Sequence, residues 1–301
     1  MRRWIDARGV TSTLQPNTYI SQTLPKRSHL LLAIPVESSS SFLAFDVFRS
    51  AFTRSDSQMI ENIAPTALSV FSILGDSMCD CFPEELAFVR NAIEKRKKEF
   101  SRGRYCAHQA FRQLGELPIA IRVHATRRPI WPQGYQGSIT HCRNYTAAAI
   151  GRASEFLAIG IDAEENLPLP QGIWEMISTP RDREGLSKLP SFPSQQPSRP
   201  VIAWERLVFS AKESVYKTWS CLTDQWLDFK DCTIEINPAT DTFTAEISKT
   251  VQVSNTAGIL KSLEQPESTG ASSPPWTWHG RYAWNSDHLV TLVYLPTSPC
   301  E

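Results

Sequence analysis

The segment Phe156-Leu157-Ala158-Ile159-Gly160-Ile161 constrains this chain most tightly. A nearly continuous apolar run of strand length predicts a β-strand covered on both faces. It delivers Asp162-Ala163-Glu164-Glu165 at its end. Residues two apart on a strand point to one side, so Asp162 and Glu164 project together. Such a pair is either two solvated charges that end the strand or two oxygen donors suited to a hard cation such as Mg²⁺.

A helix is the second fixed element. Trp204, Leu207, Val208, Ala211, Val215 and Trp219 recur at helical spacing and predict a helix from Trp204 to Ser220. Glu213 and Lys217 share a face off that apolar stripe, with Lys212 and Tyr216 nearby, and taken alone they predict a solvent-side salt bridge. An earlier helix is expected to begin near Pro83, where proline is tolerated at the first position. Its pattern runs through Leu86, Val89, Ile93 and Phe100, loosens at Ser101-Arg102-Gly103, resumes at Tyr105 and ends at Gly115. From Arg90 to Arg104 this segment holds seven basic residues against two acidic ones. That excess suits a solvated face, a phosphorylated ligand or an acidic partner surface.

The remaining punctuation is looser. Leu30 to Val36, Phe42 to Phe48, Arg281 to Trp284 and Leu289 to Tyr294 predict strands, the last two forming a hairpin over Asn285–His288. Arg127 to Gly134 reads as a turn-rich loop, and the proline- and serine-rich stretches 185–200 and 262–275 as mobile loops. Ser138-Ile139-Thr140-His141-Cys142 is no catalytic dyad by adjacency, because neighbours on an extended chain point apart. Mixed helices and strands with hairpin-like pairs predict the α+β class.

Composition excludes several functions. With 21% charged and 10% aromatic residues, the 301-residue chain is too apolar to be disordered. Leu30 to Ile34, the longest apolar stretch near the start, falls far short of the roughly 20 residues that span a bilayer. No apolar stretch follows Met1-Arg2-Arg3, so no secretory signal is expected. The 31 basic and 31 acidic residues balance, which disfavours a general nucleic-acid coat. Seven cysteines form no C-x-x-C pair, and Cys79, Cys81, Cys106 and His108 match no common zinc spacing. Reduced thiols in a cytoplasmic protein are expected.

Three ordered segments carry a more specific signal: Gly137 to Cys142, Gly160-Ile161-Asp162-Ala163-Glu164, and Phe209-Ser210-Ala211-Lys212-Glu213-Ser214-Val215-Tyr216-Lys217. With Arg96 to Phe100, Arg104 to Ala107 and Arg128 to Pro132, this set resembles the 4'-phosphopantetheinyl transferases, especially the monomeric enterobactin synthase component D type. The resemblance spans roughly residues 80–295. It implies two similar α+β halves, residues 61–155 and 156–301, about a pseudo-twofold axis with coenzyme A in the cleft between them. Residues 1–60 carry no motif.

The resemblance also implies roles. The phosphopantetheine arm of coenzyme A would pass to a serine of an acyl or peptidyl carrier protein, releasing adenosine 3',5'-bisphosphate. Asp162, Glu164 and Glu213 would hold Mg²⁺, and Lys212 and Lys217 would meet the pyrophosphate. Arg96, Arg104 and His141 would surround the 3'-phosphate, with Thr140 nearby. Thr126, Arg127, Arg128 and Pro129 would lie against adenine, although many relatives have glycine or lysine where this chain has Arg127. Glu213, with Lys217, would be the catalytic pair. A cytoplasmic monomer without nucleic-acid partners is implied. The alternatives are a Mg²⁺-dependent nuclease or phosphodiesterase, disfavoured by the neutral charge, and an inactive carrier-binding module, disfavoured by the complete acid and lysine set.

Overall fold

The predicted strand and the predicted helix lie against each other, and the rest of the chain is layered around that contact. The computed structural model describes residues 58–189, 200–249 and 276–297, all within one unit, Arg54–Glu301. In chain order the elements are β1 (Ser69–Leu74), α1 (Pro83–Leu86), α2 (Glu94–Gln113), β2 (Arg122–Val123), β3 (Pro129–Ile130), β4 (Tyr135–Cys142), β5 (Tyr145–Arg152) and β6 (Phe156–Glu165). Then follow α3 (Ile173–Ile177), α4 (Pro180–Ser187), α5 (Trp204–Thr223), β7 (Cys232–Asn237), β8 (Thr242–Ile247), β9 (Trp276–Trp284) and β10 (His288–Pro296). This is a mixed α+β fold.

Two antiparallel sheets carry it. One has the order β1-β5-β4 and the other β6-β10-β9-β8-β7. Alternation along the strands sorts side chains into layers. Ala148 and Ile150 of β5 pack on Cys106, Ala107, Ala110 and Phe111 of α2. Their neighbours Ala147 and Ala149 turn the other way and meet Ile159, Ile161, Val290 and Leu292 of the second sheet. The opposite face of that sheet, with Ala158, Leu289 and Val293, packs on Leu207, Ala211, Val215 and Trp219 of α5. The result is helix, sheet, sheet, helix. In each sheet the first strand pairs with the last and the last with the one before it, β1-β5-β4 in one and β6-β10-β9 in the other.

The apolar strand is therefore covered on both faces, as its composition predicts, and the β9–β10 hairpin closes with Asn285 N–H donating to His288 O at 2.9 Å. Other expectations need correction. α2 runs unbroken through Ser101-Arg102-Gly103, and the helical path is interrupted earlier, between Val89 and Glu94. Gly103 answers to packing: a Cβ there would lie 2.8 Å from Ile139 Cγ2 of β4. The loop from Arg127 contains the short strand β3, which pairs with β2 just before the loop, and residues 185–187 finish α4. β1, β7 and β8 had no sequence signal strong enough to read. The strands expected at 30–36 and 42–48, the 262–275 loop and most of 185–200 lie outside the described residues. Among the described residues no helix is long and apolar enough to cross a membrane.

Candidate active site

Gly160 decides where α5 sits. A Cβ at this position would overlap the Ser214 carbonyl oxygen, so glycine lets the helix backbone approach β6 directly. The approach aligns a polar stripe of α5 with the end of β6. Arg206, Ser210, Glu213 and Lys217 follow at intervals of four, three and four, which keeps them on one face. Arg206 Nη1 donates to Glu164 Oε2 at 3.0 Å, and Ser210 Oγ donates to Asp162 Oδ2 at 2.8 Å. Lys217 Nζ donates to Asp162 Oδ1 and to the Ile161 carbonyl, both at 2.8 Å. The solvent-side salt bridge between Glu213 and Lys217 is therefore not what forms: the lysine reaches across to the strand.

The other side of the site comes from β4. Ser138 Oγ accepts the Ile161 N–H, and Thr140 Oγ1 accepts the Ala163 N–H while donating to Asp162 Oδ1 at 3.3 Å. The edges of the two sheets thus meet through hydroxyls at the residue that precedes the carboxylate pair. Asp162 is only 5% exposed. Burial and the charge of Asp162 push Glu164 up to about 8 despite Arg206, and push Glu213 up to about 7 despite Lys217. Among the described residues no three His, Cys, Asp or Glu side chains already stand close enough to hold a metal ion. Lys217 and Arg206 occupy the oxygens of Asp162 and Glu164. The donor chemistry nevertheless fits a hard divalent cation: Asp162, Glu164 and Glu213 are all oxygen donors, and burial with the charge of Asp162 disfavours the charged forms of the two glutamates.

Next to this acidic centre lies a basic pocket. His141 on β4 stands 3.3 Å from Arg96 Nη1 of α2, and Arg96 also pairs with Glu99 at 3.5 Å. Burial, with Arg96 and Lys217 opposing the charge on Glu99, pushes the His141 imidazole down to about 4. Arg104 lies deeper in α2, 5% exposed, with its guanidinium carbon 4.5 Å from the Phe100 ring centre. Burial pushes it down to about 10. Arg96 thus links the two, in contact with His141 and close enough for its charge to act on Arg104. Thr140 does not join them, because strand alternation turns it toward Asp162.

The Thr126–Pro129 loop is fastened to the far end of α5. Arg128 Nη2 donates to Asp224 Oδ1 at 3.1 Å, and Thr126 is tied to His124 Nδ1 at 2.8 Å. Arg127 has φ 69°, a left-handed conformation that favours glycine.

Lys212 is the one expected ligand residue that the structure removes from the site. It is 2% exposed, and its Nζ donates to Asp182 Oδ2 at 2.6 Å, Ile177 O at 2.8 Å and Phe229 O at 2.9 Å. All three of its donor positions are used inside the protein, on the far side of α5 from Lys217. Asp182 in turn accepts the N–H groups of Thr179 and Ile234.

Sequence reading missed Arg206, Ser210 and Ser138. The 206-210-213-217 spacing was the available signal. The cysteines Cys79, Cys81 and Cys106 are free thiols, and His108 is engaged with Glu85 rather than with them.

Comparison with known proteins finds relatives of one family. Residues 84–151 match the model of the 4'-phosphopantetheinyl transferase N-terminal domain, and residues 158–265 match that of the 4'-phosphopantetheinyl transferase superfamily. The chain is 43% identical over 166 residues to 4'-phosphopantetheinyl transferase Svp of Streptomyces mobaraensis, covering 55% of this chain and 65% of the relative. It is 32% identical over 213 residues to 4'-phosphopantetheinyl transferase PptT of Mycobacterium tuberculosis, covering 71% and 85%. Enterobactin synthase component D of Escherichia coli is 32% identical over 150 residues, covering 48% and 65%.

Proposed function

This chain belongs to the 4'-phosphopantetheinyl transferase family, and from that premise we propose that it transfers the phosphopantetheine arm of coenzyme A to a serine of an acyl or peptidyl carrier protein, releasing adenosine 3',5'-bisphosphate. The observation that carries the reading is the facing of α5 and β6, where Lys217, Glu213, Asp162 and Glu164 meet beside the Arg96–His141 pocket. An acidic centre adjoining a basic pocket suits a substrate with both a pyrophosphate and a separate phosphate.

Asp162, Glu164 and Glu213 would hold Mg²⁺, which when bound neutralises charge on the pyrophosphate oxygens. Thr140 and Ser210 fix the Asp162 carboxylate from two sides, so its orientation costs nothing at the moment of reaction. Lys217 supplies a positive charge at the phosphorus under attack. Among the described residues Glu213 makes no side-chain hydrogen bond, and burial with the charge of Asp162 raises it to about 7, a basicity that suits taking the serine proton. Arg96, Arg104 and His141 orient the nucleotide end through its 3'-phosphate, and Thr126, Arg127, Arg128 and Pro129 lie against the base. Lys212 has no part in substrate contact.

The matching strand order of the two sheets supports two similar halves, 61–155 and 156–301, about a pseudo-twofold axis. Because both halves come from one chain, a monomer suffices, working in the cytoplasm with its cysteines as thiols. Carrier proteins with acidic helices would dock on a basic or apolar surface beside the site. Intact-mass spectrometry of an apo carrier incubated with the protein, coenzyme A and Mg²⁺ tests the proposal. Gain of one phosphopantetheine on the carrier serine is expected, and an unchanged carrier mass across acyl and peptidyl carriers would refute it.

A further inference from the structure

Glu85 is a carboxylate with no surface role. It occupies the third position of the one-turn helix α1, and its Oε2 accepts the Phe82 N–H at 3.0 Å, as in a capping box. A glutamate in that position ordinarily lies in solvent, yet Glu85 is 0% exposed. Its second oxygen is turned toward α2. Oε1 accepts the Ile121 N–H at 2.8 Å and stands 3.1 Å from His108 Nε2 and 3.8 Å from Arg104 Nε. Arg104 and His108 are four apart on α2, so both present to this one oxygen.

Arg104 closes that arrangement from α2 and is itself buried. Its Nε is buried without a hydrogen-bond partner among the described residues, and its guanidinium rests on the Phe100 ring. Glu85 faces Arg104 from α1, and Arg96 adds a second positive charge nearby. A buried guanidinium set between that carboxylate and that ring has its remaining donors aimed by them. Displacing the carboxylate frees the side chain to swing, and a fork that must meet a phosphate loses its direction.

We propose that Glu85 is a positioning residue for phosphate recognition, fixing Arg104 on α2 and thereby setting the preference of this protein for a nucleotide that carries a 3'-phosphate. The proposal rests on the reading that Arg104 faces the 3'-phosphate, and its test separates the two. Calorimetric affinities for coenzyme A and for 3'-dephospho-coenzyme A are measured on the wild type, Glu85→Gln, Arg104→Ala and the double variant.

Glu85→Gln should lower the preference for coenzyme A about tenfold while affinity for the dephospho form stays within about twofold, a loss of roughly 1.4 kcal/mol confined to the phosphate. In the Arg104→Ala background the same substitution should leave the preference unchanged, because its effect acts through that arginine. Equal losses for both ligands, or a further loss of preference in the double variant, would overturn the proposal. An Arg104→Ala protein with undiminished preference would instead overturn the phosphate reading beneath it. Should Glu85→Gln fail to give the native circular dichroism spectrum, Glu85→Asp keeps the charge but withdraws it by one methylene. It should show the same selective loss, and full retention of preference would refute the role.

Discussion

Substituting Lys212 by methionine separates a structural lysine from a catalytic one. Methionine keeps the length of the stem but removes the ammonium that bonds Asp182, Ile177 O and Phe229 O. Removing one partner of a buried ion pair costs about 3–5 kcal/mol. Asp182 retains the N–H groups of Thr179 at 2.6 Å and Ile234 at 2.7 Å, so its charge is not left bare. The lower end, about 3 kcal/mol, is expected. For a domain of this size each kcal/mol lowers the melting temperature by about 2–4 °C, giving a drop of about 6–12 °C. Thermal unfolding by circular dichroism gives the stability, and calorimetry well below the transition gives coenzyme A affinity, which should change less than about threefold. An unchanged melting temperature with a tenfold or greater loss of affinity would return Lys212 to the pyrophosphate and refute the reasoning.

Arg96→Ala should weaken coenzyme A by about ten- to a hundredfold, the worth of a charge-assisted contact of roughly 1.5–3 kcal/mol, with little loss for 3'-dephospho-coenzyme A in the same titration. Glu213→Gln preserves shape but not basicity, so single-turnover transfer should slow by about 10²–10⁴ while coenzyme A affinity changes far less; a parallel fall in both would recast Glu213 as mainly a metal ligand. Glu85 also makes a pH prediction. Burial alone would raise its carboxyl, but the His108 and Ile121 hydrogen bonds, the His108 charge and the Phe82 N–H outweigh burial and hold it below the ordinary value. A depressed carboxyl adds stability that is complete above the unfolded value of about 4.3 and lost as pH falls through the folded one. The melting-temperature advantage of wild type over Glu85→Gln should therefore be full at about pH 6 and shrink below about pH 4. An advantage that grows on acidification would contradict this.

Helix geometry explains which parts of the site were legible. At about 100° per residue, Glu213 and Lys217 differ by about 40° around α5, whereas Lys212 and Lys217 differ by about 140°. Adjacency to Glu213 in the sequence therefore put Lys212 on the wrong side, and the turn count alone separates the lysines. The carboxylate pair on β6 was legible because a strand repeats every two residues and its apolar run admits no other register. Thr140 and His141 part for the converse reason: adjacent strand residues diverge, so Thr140 meets Asp162 while His141 meets Arg96. The break expected at Gly103 came from treating glycine as a helix stop, when the missing side chain makes room for Ile139. β1 has only six residues, and its partner β5 comes after α2 and β4, so nothing local announces it.

The join between β4 and β6 has a mechanical consequence. Each strand is bonded along its length to its own sheet, but across the join the Ile161 and Ala163 amides rest on two hydroxyls, Ser138 and Thr140. A slip along that fault would cost these bonds, the Thr140–Asp162 bond and the contacts beside them, while either sheet would still keep its ladder. The basic pocket lies on one bank and the acidic centre on the other. Mild denaturant should therefore part the substrate's two anchor points, and silence the protein, before any strand leaves its neighbour.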